Sequence, residues 1–320
     1  FIGTLINLNY EKITEKNFAG GNKIQDSMAD STIQSFIFIN GANGGVNSGN
    51  KIQGNGAGLQ PTNITITSAL SDGSVGAGLY IEDTVDVNII VYKGLNCASG
   101  GSYPDVWVGG TRTKIASITS KGSGNTGVTV RSDAVDYQLG SINVLNPTGD
   151  AVQNACNNIG RIESIHSDDD QGIPTMTRAY YVSGTGGGEV DSVHSGLANS
   201  TTQVRIQIAS GNYKHRVNRF TMSGEGLSGR VQLTNAATST SVSNSNIMRA
   251  YVGGTSDYLE PIIEVLPANS SSAALVNHFR TTTTDYTTGT GFAIQHSTAG
   301  ATDYVVWRLV GYSVLPASLS

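Results

Sequence analysis

The chain is poor in the residues that helices, membrane spans and disulfide frameworks need. Of 320 residues only two are cysteine and seven are proline; charged residues make up 13% and aromatic residues 7%. Cys97 and Cys156 are too few for a disulfide scaffold or a four-ligand zinc site, and both are expected as free thiols in a core. No window is rich in Ala, Leu, Glu, Lys and Arg together, which excludes long helices. No apolar run approaches the roughly 20 residues of a membrane helix, so no membrane partner is expected. The net charge of −5 comes without a basic stretch, which argues against a nucleic-acid partner. Phosphate-loop and HExxH patterns are missing, and neither a cofactor nor a metal is expected. Phe1 opens a segment already patterned as strand with no secretory leader, so the sequence reads as part of a longer chain.

What is present is glycine, 40 residues of it, with abundant Ser, Thr and Asn. Short runs of Val, Ile, Thr and Tyr recur between these turn formers, the pattern of many short strands. The runs repeat. Ile115-Ala116-Ser117-Ile118 is followed by Leu139-Gly140-Ser141-Ile142, Ile162-Glu163-Ser164-Ile165, Val190-Asp191-Ser192-Val193 and Val217-Asn218-Arg219-Phe220, at intervals of 24, 23, 28 and 27 residues. Backwards, Val87 lies 28 before Ile115 and Ile64 lies 23 before Val87. A second series of alternating runs falls between these copies: Leu79/Ile81, Val106/Val108, Val128/Val130, Val152, Val182, Val204/Ile206 and Val231/Leu233. A period this short, with strands and no helices, excludes leucine-rich and ankyrin repeats and four-stranded propeller blades. The expected fold is all-β: a right-handed parallel β-helix, a single-stranded solenoid, over residues 1–253 in about nine or ten coils. "VGGTSDYLEP" (252–261) marks a boundary, and 254–320 reads as a small antiparallel β domain for trimerisation or capping. Small Ser and Gly are expected at the bends of each coil.

In a solenoid the inward positions are taken by apolar ladders, so chemistry belongs on outward positions and loops. If the second series alternates, Tyr80, Glu82, Asp105, Trp107, Thr129, Arg131, Gln153, Arg205, Gln207, Arg230 and Gln232 stack on one outer face. Rings there would lie on sugar faces while carboxylates, Arg and Gln bond hydroxyls. Tyr80, Trp107, Arg131, Gln153, Arg205 and Gln207 are the candidate substrate-binding residues. Glycoside cleavage uses two carboxyl groups roughly 5 to 9.5 Å apart. If Ile81 stacks on Val106, Glu82 and Asp105 lie about 8 Å apart and qualify; if Leu79 does, they lie about 14 Å apart and fail. Asp83 and Asp133, just past the strands, are the reserve catalytic candidates. The acidic tip Asp168-Asp169-Asp170 is read as a solvated turn, with a cation site or a cleft acid as alternatives, because like charges side by side resist burial. His166 and His194 occupy equivalent places in adjacent repeats, which the repeat itself accounts for.

Coils such as "KIASITSKGSGNTGVTV" (114–130) over most of the chain, followed by a compact β tail, resemble bacteriophage tailspike and neck-appendage proteins. The resemblance implies a homotrimer on the virion tail, extracellular in action, that binds and depolymerises a host surface polysaccharide. It also implies attachment to other virion tail proteins through an N-terminal part missing here. The ending "LPASLS" is compatible with a chain released from a C-terminal chaperone by self-cleavage after a Ser. Two other readings stand beside it: a glycan-binding adhesin that does not cut, and a secreted pectate-lyase-like enzyme, for which Arg131, Arg205 and Arg230 are the available bases.

Overall fold

A computed structural model describes residues 5–6, 8–16, 22–25, 28–39, 49–55, 58–169, 176–196, 206–208, 215–222, 228–243, 258–275, 280–282 and 291–315. Two parallel sheets run through the first two thirds of the chain. The first contains the long strands Met28–Ile39, Thr62–Asp72, Val85–Leu95, Lys114–Lys121, Tyr137–Leu145, Gly160–Asp168 and Gly188–Ser195, continued by His215–Val217 and Phe220–Met222. The second holds eight shorter strands: Asn22–Gln25, Asn50–Gln53, Leu79–Glu82, Val106–Val108, Val128–Val130, Val152–Asn154, Tyr180–Val182 and Ile206–Ile208. Each rung alternates between the sheets, and each strand pairs in parallel with the one a rung earlier: a parallel β-helix.

The sequence repeat and the spatial register coincide over the middle of the solenoid. Ile115 pairs with Leu139, Leu139 with Ile162, Ile162 with Val190 and Val190 with Val217. Ile115, Leu139, Ile162 and Val190 and their neighbours three positions on, Ile118, Ile142, Ile165 and Val193, are buried in one continuous core, against which Val217 packs half-buried. Burying each such side chain contributes roughly 1.5–3 kcal/mol, which is what holds one rung on the next. The repeated serines Ser117, Ser141, Ser164 and Ser192 pair in a column of their own, outside that core. Each sits beside a residue that drops out of the pairing, so two consecutive side chains point outwards and the strand bends. A small side chain fits this corner.

Further back the expected alignment slips. Ile115 pairs with Ile89 rather than Val87. Val91 occupies the corner position that Ser holds elsewhere, which hid the true register, and a slip of two residues keeps the same face inwards.

Parallel pairing gives way before the expected boundary at 253. Ser228–Gln232 pairs antiparallel with Tyr304–Leu315, and Ser239–Ser243 pairs antiparallel with Gly291–Gln295. Tyr258–Pro267 covers the other side of Tyr304–Leu315. Val231 and Leu233 therefore do not continue the coil series. Leu233 is buried with Phe292, Ile294, Val305 and Trp307 in a second core, against which Val231 packs. A short alternating run announces a strand but not its partner, so the period could not separate the two cases.

Candidate functional site

The second sheet carries on its outer face a register-aligned column: Lys23, Lys51, Tyr80, Trp107, Thr129, Gln153 and Tyr181. Leu79 pairs with Val106 and Tyr80 with Trp107. This is the register in which Glu82 and Asp105 are too far apart, and Asp105 is not on that face at all. It is 1% exposed and accepts a hydrogen bond from the Tyr92 hydroxyl at 2.6 Å. Its other oxygen, Oδ2, is buried without a hydrogen-bond partner. Burial pushes its carboxyl up to about 6, against the pull of the Ser120, Tyr92 and Cys97 polar groups. Gly94 leaves the space: a Cβ there would come within 2.0 Å of Asp105 Oδ2. The expected Glu82–Asp105 acid–base pair is therefore overturned. Asp105 precedes its strand at a corner where the chain turns inwards, and strict alternation does not extend that far.

Glu82, Arg131 and Asp133 do come together. Arg131 Nη2 meets Glu82 Oε1 at 2.7 Å and Arg131 Nε meets Asp133 Oδ1 at 2.8 Å. The remaining Glu82 oxygen accepts from the Tyr80 hydroxyl at 2.7 Å and from Gln53 Nε2 at 2.6 Å, while Arg131 Nη1 donates to the Tyr80 oxygen at 2.9 Å. Arg131 reaches Glu82 across a whole rung because Gly109 stands between them. A Cβ at Gly109 would lie 3.0 Å from Arg131 Cδ and 2.8 Å from the Ile81 carbonyl oxygen. Asp83 is held aside by Gln60.

The aromatic residues join this network. The Tyr80 and Trp107 ring centroids are 5.4 Å apart, and Tyr103, which the sequence reading passed over, stands 5.4 Å from Trp107. The Arg131 guanidinium lies 5.2 Å from the Trp107 ring, and Lys51 Nζ lies 4.8 Å from the Tyr80 ring. Burial, then the hydrogen bond to Glu82, pushes the Tyr80 phenol up to about 12. Further along, Tyr181 lies beneath Arg178, whose guanidinium is 3.8 Å from the ring and also grips the buried Asp150 at 2.6 and 2.9 Å. Tyr181 went unrecognised because the inward place before it is held by a second tyrosine: Tyr180 is fully buried and its hydroxyl accepts from Asn154 Nδ2 at 3.2 Å. A polar residue at an inward position conceals the alternation that marks its neighbour as outward.

The other expected residues divide. Gln153 is on the column and donates to Ser183 Oγ at 3.2 Å. Gln207 lies on the last strand of the second sheet, paired with Tyr181. Arg205 lies outside the described residues, as does Asp170. Arg230 and Gln232 belong to the antiparallel sheet, where Arg230 lies 4.5 Å from the Tyr304 ring. Asp169, expected in a solvated turn, is 5% exposed and accepts the Met176 N–H at 2.9 Å. A backbone donor inside the turn satisfies the carboxylate, which spacing alone could not reveal. Cys97 and Cys156 are free and buried.

A second concavity lies at the corner between the sheets, an open groove of about 1050 Å3 lined by Lys114, Gln138, Ile159, Arg161, Glu189 and Arg216 among others. No family model matches the chain, and no curated protein matches it.

Proposed function

We propose that the chain is a glycan-recognising β-solenoid, the receptor-binding part of a bacteriophage tail appendage that acts outside the host cell on a surface polysaccharide. The observation that carries this reading is the outer column of the second sheet. There Tyr80, Trp107 and, three rungs beyond Trp107, Tyr181 stand in register at a spacing of about 4.8 Å per rung, bordered by Arg131, Lys51, Gln153 and Arg178. Rings and charged donors repeated along one axis suit a repeating polymer better than a small molecule. Homotrimerisation and attachment to other tail proteins belong to the same proposal. The test is binding to purified host capsule and cell-wall polymers, followed by titration calorimetry. Trp107→Ala should weaken binding about tenfold or more, the scale of one lost stacking contact with its neighbours. A chain that binds no such polymer would sink the reading.

Depolymerisation is the second reading, favoured by one observation: Glu82 and Asp133 flank a single guanidinium on the presumptive sugar face. Reducing ends and unsaturated sugars distinguish hydrolysis, which raises only the first, from elimination, which raises both. Glu82→Gln should abolish cleavage and leave binding in place; undiminished turnover would remove Glu82 from the chemistry.

A further inference from the structure

The corner groove uses none of the residues of the aromatic column, and along its lining cations outnumber carboxylates. Four cations line it, Arg112, Lys114, Arg161 and Arg216, against two carboxylates, Asp136 and Glu189, in a protein of net charge −5. Three of the cations are in strict register. Lys114 pairs with Gln138, Gln138 with Arg161, Arg161 with Glu189 and Glu189 with Arg216. Cations therefore recur every second rung, about 10 Å apart along the solenoid axis, with an uncharged or acidic hydrogen-bonding side chain between them.

Lys114, Gln138, Arg161 and Arg216 are exposed. Lys114 and Arg216 have no ion pair among the described residues, while Arg161 meets Asp191 at 2.6 Å and Arg112 meets Asp86 at 2.6 Å. The Glu189 carboxylate accepts from Asn218 Nδ2 at 2.6 Å. On the groove wall Ile159 exposes 70% of its surface, a single apolar patch among polar neighbours. Glycines 160, 186, 187 and 188 keep the wall low beside it.

We propose that this groove binds an extended acidic polysaccharide carrying one carboxylate per disaccharide. The disaccharide repeat of an extended pyranose chain is close to two rungs. Successive carboxylates would face Lys114, Arg161 and Arg216, and the intervening neutral sugars would face Gln138 and Glu189, whose oxygens accept from their hydroxyls. Ile159 supports the apolar face of one ring. A polymer charged on every sugar would bring a carboxylate against Glu189, so the spacing selects against it as well as for its alternating relative.

The test measures binding of the intact chain to hyaluronate and unsulfated chondroitin, which carry one carboxylate per disaccharide, to polygalacturonate, which carries one on every sugar, and to neutral dextran. At least one of the first two should bind, about tenfold or more tighter than polygalacturonate, with affinity falling as salt is raised. Lys114→Gln and Arg216→Gln should each weaken binding about fivefold, as expected for an exposed charge contact. Lys114→Arg and Arg216→Lys, which keep the charge, should restore it. Because both positions are exposed and make no ion pair among the described residues, an unchanged far-UV spectrum is expected and shows that the loss is not one of folding. Binding lost in Trp107→Ala but kept in both charge-removing variants would place the acidic polymer on the aromatic column and overturn the proposal. Equal or tighter binding of polygalacturonate, no binding of either alternating polymer, or affinity indifferent to both charge-removing variants would overturn the proposal.

Discussion

Asp105 shows what a single buried carboxyl costs. Its folded-state value of about 6 lies above the ordinary 3.8 because burial disfavours the charged form. The folded chain therefore holds this proton more tightly than the unfolded chain does. Below about pH 4 both states are protonated and the group is neutral in the balance; between about pH 4 and 6 stability is lost, and above that the loss is constant. Two units correspond to roughly 3 kcal/mol at most. Asp105→Asn keeps an acceptor for the Tyr92 hydroxyl and removes the charge, so it should stabilise the protein at pH 7 by roughly 1–3 kcal/mol and have little effect near pH 4. Thermal melts of the two proteins across that range read the difference directly, and a difference independent of pH would refute it. The sequence could not reveal this residue's place. Asp before a Val-x-Val run reads as outward by alternation, and it is the space left by Gly78 and Gly94 that admits it to the interior.

The unit of organisation one level up is the rung, and here glycine decides what can reach what. Arg131 binds Glu82 only because Gly109 leaves the intervening place empty. Gly109→Ala should push Arg131 aside, break the Glu82 pair and lower affinity for the polymer held on the aromatic column severalfold, at a stability cost of about 1–2 kcal/mol. Binding and chemical-denaturation measurements on the same variant test both halves; unaltered binding would mean that the pair does not shape the face. Elements of this kind were partly legible beforehand. Where the repeat was complete, from Ile115 to Val217, sequence spacing predicted the partner of each core residue. Where a Val stood at the Ser corner the inferred register moved by two residues, and where a Tyr faced inwards its outward neighbour Tyr181 was overlooked. A shift of two leaves the buried face apolar, so hydrophobicity does not penalise it.

For the whole molecule, the question is what covers the antiparallel unit. Leu266 and Val306 face one another across neighbouring strands and are 45% and 41% exposed, and Val310 is 56% exposed. Under the proposed homotrimer this stripe is where copies meet. Light scattering should then give three times 33.3 kDa, and Val310→Asp, which places a charge on that contact, should shift the population towards monomer while the far-UV spectrum is retained. A monomer at all concentrations would end the trimer reading. That Ser228–Gln232 pairs antiparallel was beyond the reach of the period, because strands of either pairing alternate alike.

One consequence follows from the way residues 228–243 are paired. A coil needs only the chain already made, since its partner lies some two dozen residues upstream. Arg230 instead waits for Val306, and Ser241 for Ala293. As the polypeptide leaves the ribosome, the stacked part can consolidate progressively, whereas the stretch after it stays unmatched until residues 291–308 have been made. A nascent chain stopped near position 290 would thus carry a finished column ending in bare strands, the species most open to proteases and to pairing with another chain.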